Sequence, residues 1–325
     1  MSKKKILITG SCGFIMGNFL RKLSYLSSKD PDKYSYSIVS VDRVNANAAN
    51  SMYWNKNHIF HVADIRDQHI MDTIFQFEKP DIVLHGAAET FVDASLSDPN
   101  SFVTSNVLGT QVLLNSSVKS GVEKFIYIST DEIYGQLTSE NDKPWSEEAE
   151  LNPRNPYSAT KAAGELLVKA ASKSFGLIYN ITRSSNNYGP RQTPEKLIPK
   201  AIKCIMNNVP IPIYGKGLQI RDWTHVFDNC SALMTVLQKG ADNEIYNISA
   251  KQEFTNIEAI QEVCNAMKTG HNLISFIDDP RASHDFRYAV DTGKIKELGW
   301  KPNFKFKEGV ADTICWYMDN KWFLK

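Results

Sequence analysis

KILITGSCGFIMGN (Lys5–Asn18) joins a short apolar, β-rich run to a segment of helical periodicity through two glycines, Gly10 and Gly13. The spacing predicts a strand over 5–9, a tight turn, and a helix from Phe14 to about Leu26. Glycines at such a turn let backbone N–H groups approach a pyrophosphate at the helix N-terminus. A glycine pair alone also fits a plain strand–helix turn, so the neighbouring sequence has to decide.

Working outward, YSIVSVD (Tyr36–Asp42) reads as a second strand and IFHVAD (Ile59–Asp64) as a third. Asp42 ends its strand where an acid binds a ribose 2′-hydroxyl. The inserted SSKDPDKYS explains why it lies beyond the usual spacing of about 20 residues. A carboxylate there favours NAD over NADP, although Arg43 beside it pulls the other way. Gln68–Phe77 reads as a helix, Asp81–Ala88 as a buried strand, and Lys124–Ser129 as another strand. Phe102–Lys119 and Ser158–Ser174 read as helices, the first with Val103, Val107, Leu114 and Val118 at helical spacing. Strands alternating with helices imply right-handed crossovers and an α/β fold. We expect a Rossmann-like doubly wound parallel sheet with a smaller, interleaved α+β substrate-binding lobe. Prolines and glycines thicken after Thr182. A second, smaller lobe is placed there; we read residues 1–184 as the nucleotide-binding domain, with 223–249 returning to it, and 185–325 as the substrate lobe.

The chain has 325 residues, 37 Lys+Arg against 36 Asp+Glu, a net charge of +1, and 42% hydrophobic residues. That composition suits a globular protein and argues against a nucleic-acid binder, which needs a basic surface. No apolar run is long enough to span a bilayer, and no secretory signal is read. Five scattered cysteines without C-x-x-C spacing suggest free thiols and a cytoplasmic setting. The seven histidines form no metal-like cluster, so no metal is expected.

YSATK (Tyr157–Lys161) puts a tyrosine and a lysine on one helical face, where an ammonium can lower the phenol's pKa. STDEIYG (Ser129–Gly135) follows a parallel strand, at the end where such sheets bind ligands. Asp131 and Glu132 there are either a solvated acidic loop or an acid–base pair. For both to serve one site, the chain must leave extended geometry at Asp131.

Together with HGAAETFVD (His85–Asp93), NVLGT (Asn106–Thr110), NPYSATKAAGE (Asn155–Glu165), TRSSNNYGPRQTPEKLIPK (Thr182–Lys200), PIYGKGLQIRDW (Pro212–Trp223) and HDFRYAVD (His284–Asp291), these stretches resemble one family along almost the whole chain. It is the nucleoside-diphosphate-glucose 4,6-dehydratases (dTDP- or UDP-glucose) of the extended short-chain dehydrogenase/reductases. Related epimerases share the glycine loop and the Tyr–Lys pair but typically lack the Thr-Asp-Glu run. The resemblance implies that Tyr157, aided by Lys161 and Thr130, takes the sugar's 4-hydroxyl proton while hydride passes to tightly bound NAD⁺. Glu132 would remove the C5 proton and Asp131 protonate the departing 6-hydroxyl.

By the same resemblance Gly10, Gly13, Phe14, Ile15, Asp42, Arg43, Asn45, Asp64, Ile65, Ala87, Ala88, Ser105 and Asn187 would join Tyr157 and Lys161 around NAD. Thr90, Thr130, Asn186, Glu195, Lys196, Leu197, Pro212, Tyr214, Arg221, Asn256, Arg281, His284 and Tyr288 would contact the sugar nucleotide. Arg221 suits a diphosphate because its guanidinium stays charged and donates in parallel; a pairing with Asp222 is the rival reading. A homodimer through the 102–119 and 158–174 helices is implied. Two departures stand out. Met16 replaces the family's third loop glycine, and RASHD (Arg281–Asp285) replaces the usual RPGHD. The 182–200 pattern stands closer to eukaryotic-type members, which tilts the substrate toward UDP-glucose. A 4-epimerase or a silent NAD-binding scaffold are the alternatives.

Overall fold

The computed structural model describes residues 3–34, 36–43, 58–281 and 284–324. Among the described residues seven strands form one sheet: β1 (Lys4–Thr9), β2 (Tyr36–Asp42), β3 (His58–Val62), β4 (Ile82–His85), β5 (Lys124–Thr130), β6 (Tyr179–Ser184) and a last strand, Glu244–Ile248. Their order is β3-β2-β1-β4-β5-β6 followed by Glu244–Ile248, and every pairing is parallel. This doubly wound order reverses direction between β1 and β4, where a crevice opens beyond the strand ends.

Alternation along the strands fills two cores. Ile6, Ile8, Leu84 and Ile126 face the Phe14–Lys29 and Val226–Lys239 helices. Leu7, Val39, Val83 and Phe125 face the opposite layer, which includes Phe75, Leu113 and Val168. Both faces being covered explains why the strands read as unbroken apolar runs. A third core, with Ile202, Ile213, Ile260, Val310 and Tyr317, lies among the Leu197–Met206, Asn256–Ala266 and Phe306–Asp319 helices. It is completed by a three-stranded sheet (Glu253–Thr255, Ile220–His225, Asn186–Tyr188) and a two-stranded one (Ile211–Tyr214, Ile274–Ile277).

Two sequence expectations need correction. The strand expected over 81–88 ends at His85, because Gly86 and the residues after it turn off to line the crevice. The expected 102–119 helix is not continuous: Pro99–Phe102 and Gly109–Ser120 are α-helical, and Val103–Leu108 is a π-turn. The wider turn breaks the 3.6-residue register. Leu114 is buried, but Val103, expected inside, is 48% exposed.

Candidate active site

Gly10 follows β1 at φ +71°, and a Cβ there would lie 2.7 Å from the Ala87 backbone. Only glycine lets the loop pass this close to the chain leaving β4. Its N–H donates to the Val41 carbonyl (3.0 Å), and Gly13 N–H donates to the Gly10 carbonyl (2.9 Å). Gly13 then caps the 16-residue Phe14–Lys29 helix with no side-chain acceptor. The first-turn N–H groups are thus left to an anionic ligand. Met16 is accommodated by a second glycine: a Cβ on Gly86 would sit 2.4 Å from Met16 Cγ. The packing the missing loop glycine would have served is supplied from β4's side.

Asp42 accepts from the Cys12 N–H (2.8 Å), which ties the loop to the end of β2. Burial pushes its carboxyl up to about 6, against the pull of that bond and of Arg43. Arg43 itself pairs with Glu89 and lies 3.9 Å from Asp64. Asp64 is held by Arg66 (2.6 Å), whose charge and hydrogen bonds keep its carboxyl low. Inside the π-turn, Asn106 exchanges two hydrogen bonds with the Glu89 backbone (2.8 and 3.0 Å) and donates to Thr160 Oγ1 (2.9 Å). This fastens the 86–91 segment to the Pro156–Phe175 helix.

β5 stops at Thr130 and a single 3₁₀ turn, Asp131–Tyr134, follows. Thr130 Oγ1 caps it by accepting from Glu132 N–H (3.3 Å). The strand's alternation is broken where two successive carboxylates require it, and both line the cleft. Asp131 is 3% exposed, and its Oδ2 has no hydrogen-bond partner among the described residues. Burial, then the neighbouring Glu132 charge, lift its carboxyl well above the ordinary range. Burial also raises Glu132, opposed by the Asn155 amide and by Lys196, Arg221 and Arg281.

Tyr157 and Lys161 rise from the Pro156–Phe175 helix into the same cleft. The expected lowering of the phenol's pKa is not found here. Burial, followed by Glu132, raises it, and Thr130 opposes. Burial depresses Lys161 to about 7, and its ammonium lies 4.1 Å from the Tyr127 ring centre.

All the described residues expected around NAD line this cleft, as do Thr90 and Thr130; Asn45 lies outside the described residues. A second cleft, lined by the other expected sugar-nucleotide residues, adjoins it through shared Glu132, Asn186, Asn187, Glu195 and Lys196. Here the side chains hold one another. Arg221 donates to the carbonyls of Ile220 (2.7 Å) and Asp285 (2.8 Å) and stacks 4.2 Å over Tyr288. Asp222, its rival partner, instead accepts from the Ser249 hydroxyl and the Gln252 N–H. Arg281 Nε donates to Asp93 Oδ1 (2.7 Å), and His284 Nδ1 lies 2.6 Å from Asp279 Oδ2. Lys196 donates to the Thr90 carbonyl (3.1 Å).

Sequence reasoning missed Asp93, Asp285, Arg154 and Asn155. Asp285 accepts from Arg154 Nε (2.6 Å) and from Tyr288 (2.5 Å). Asp93 and Asp285 each close a quoted motif, and Arg154–Asn155 directly precede Pro156–Tyr157, so proximity was the available signal.

The clefts suit a dinucleotide and a second anionic ligand. A glycine cradle and an uncapped helix face one end, and the Oδ1 atoms of Asn186 and Asn187 are buried between the two without partners among the described residues. The family described as GDP-mannose 4,6 dehydratase matches residues 7–313. A low-salt glycan biosynthesis protein of Haloferax volcanii is 40% identical over 96% of this chain and 98% of its own length. A dTDP-glucose 4,6-dehydratase of Xanthomonas campestris is 39% identical over 97% and 93%. The structure of DesIV, a dTDP-glucose 4,6-dehydratase from Streptomyces venezuelae with NAD bound, superimposes with a TM-score of 0.91 at 34% identity, covering 99% of both chains.

Proposed function

The chain belongs to the GDP-mannose 4,6-dehydratase family, and from that premise we propose how its clefts carry out the NAD-dependent 4,6-dehydration of a nucleotide-activated glucose. The reaction is that of a hydro-lyase, giving the NDP-4-keto-6-deoxyglucose and water. One observation carries the assignment of roles: Asp131 and Glu132 share a cleft with Tyr157 and Lys161. An epimerase needs only the second pair.

When bound, NAD⁺ supplies the acceptor for the C4 hydride and the donor that returns it to C6. Gly10, Gly13 and the Phe14–Lys29 helix N-terminus would hold its pyrophosphate and Asp42 its ribose, while Arg43 is occupied by Glu89. Tyr157 accepts the 4-hydroxyl proton at its phenolic oxygen, with Thr130 and Lys161 beside it. Burial works against the phenolate and the Thr130 hydroxyl opposes that effect, so a protonated Lys161 would add to what Thr130 supplies. The C4 ketone acidifies C5–H, and the Glu132 carboxylate takes that proton. Asp131, kept neutral by burial, gives its proton to the 6-hydroxyl, which leaves as water. Glu132 returns its proton to C5, and the proton held by Tyr157 balances the one Asp131 lost.

We assign residues 1–184 and 223–249 to the NAD lobe and the rest of 185–325 to the sugar-nucleotide lobe; the Glu244–Ile248 strand pairing with β6 supports this. Leu96, Val103, Leu108 and Leu166 expose apolar surface on the 92–120 and Pro156–Phe175 segments, which supports a homodimer through these helices. Among the described residues no helix is long and apolar enough to cross a membrane. The free cysteines support a cytoplasmic setting. The names of the relatives favour a dTDP sugar, the 182–200 pattern a UDP sugar. Incubation with each, followed by mass measurement, tests the reading. Loss of one water is expected, and an isobaric product would replace it with epimerisation. The ratio of kcat/KM values gives the base preference.

A further inference from the structure

Asn155 is the N-cap of the Pro156–Phe175 helix. Its Oδ1 accepts from the Ser158 N–H (2.8 Å), while the Ser158 hydroxyl accepts from the Asn155 N–H (3.3 Å). That capping role fixes which way the amide points, because only the oxygen can accept from the helix. The amide nitrogen is therefore left facing the 3₁₀ turn, where Nδ2 donates to Glu132 Oε2 (3.1 Å). One planar amide thus spans the two catalytic segments. We propose that Asn155 is a positioning residue for C5 deprotonation, clamping the Glu132 carboxylate to the helix that carries Tyr157 and Lys161.

The chemistry favours this role over a plain cap. A carboxylate offers only acceptors, so an amide N–H both orients it and stabilises its ionised, basic form. The Glu132 N–H is meanwhile held by Thr130 Oγ1 (3.3 Å), so backbone and carboxylate are both fixed. The charged and titratable neighbours divide. Lys196, Arg221 and Arg281 favour the ionised carboxylate, whereas Asp131, Tyr157 and Tyr288 lie where their ionisation would oppose it. Asn155 lines the sugar-nucleotide cleft and is the amide in direct hydrogen-bond contact with Glu132.

The proposal rests on Glu132 being the base, and its test separates the two claims. Asn155→Ser keeps a good N-cap but is too short to reach Glu132; Asn155→Asp also caps but sets a carboxylate against it. With NAD-loaded enzyme and dTDP-glucose, solvent deuterium incorporation at C5 and NADH absorbance are followed together. Asn155→Ser should slow C5 exchange and dehydration about tenfold, leave melting and NADH formation nearly parental, and move the acid limb to higher pH. Asn155→Asp should do more. Adding Asn155→Ser to Glu132→Gln should cost nothing further in residual dehydration. An additive loss there, or equal falls in NADH formation and exchange, would overturn the positioning role while leaving the Glu132→Gln defect intact. Parental C5 exchange in Glu132→Gln alone would overturn the base assignment itself, and the Asn155 proposal with it.

Discussion

The two ends of the combined cleft are built from different materials. At the cofactor end, contacts come mainly from backbone: Gly10 pressed against Ala87, Gly13 opening a helix, and Cys12 N–H holding Asp42. At the sugar-nucleotide end, cations are restrained by other side chains and by carbonyls: Arg281 by Asp93, Arg221 by Asp285 and Tyr288, and His284 by Asp279. A backbone cradle is preformed and cannot be loosened by one rotamer change. A network of paired charges must exchange partners when an anion arrives, which fits a ligand that comes and goes. The difference matches a resident cofactor beside an exchanging substrate.

The sharpest way to break that contrast is Gly10→Ala. An L-residue at φ +71° with its Cβ 2.7 Å from backbone costs about 3 kcal/mol or more. NAD affinity should fall about 100-fold or more, measured by calorimetry. Arg221→Lys should act at the other end only. It loses the stacking on Tyr288 and the paired carbonyl contacts, so KM for the nucleotide sugar should rise about tenfold with bound NAD unchanged. The pH dependence of NAD binding gives a third test. Asp42 titrates at about 6 in the unliganded fold, so its carboxylate acceptor is present above that pH and lost below it. Affinity measured by calorimetry should weaken about fivefold from pH 7 to 5, and Asn at position 42 should flatten the profile. By linkage, the same raised carboxyl stabilises the unliganded protein around pH 4, and this contribution is lost as pH rises through 6. Smallest is Arg43→Ala. The side chain is 45% exposed and already paired with Glu89, so NAD affinity should change less than about threefold.

The same contrast explains what the sequence revealed. Ile6, Leu7 and Ile8 alternate between two cores, and Gly10 marks a turn that a side chain would block, so local pattern carries the sheet and the phosphate turn. The Tyr36–Asp42 strand was readable to the residue for that reason. The Arg281–Asp93 pair joins positions 188 apart, and no local period announces it. Val103 was misread because a π-turn shifts register without a compositional mark. The Tyr157–Lys161 spacing correctly gave a shared helical face. It did not give the energetics, since burial and the Tyr127 ring beneath the ammonium act from outside the motif.

The claim that one site uses both residue pairs on one sugar is tested most directly with dTDP-glucose deuterated at C4. A single-turnover mixture analysed by NMR and mass should show the deuterium at C6 of the 4-keto-6-deoxy product, with one water lost and no label left on NAD. Deuterium recovered at C4 of an isobaric sugar, or retained on the cofactor, would contradict the account.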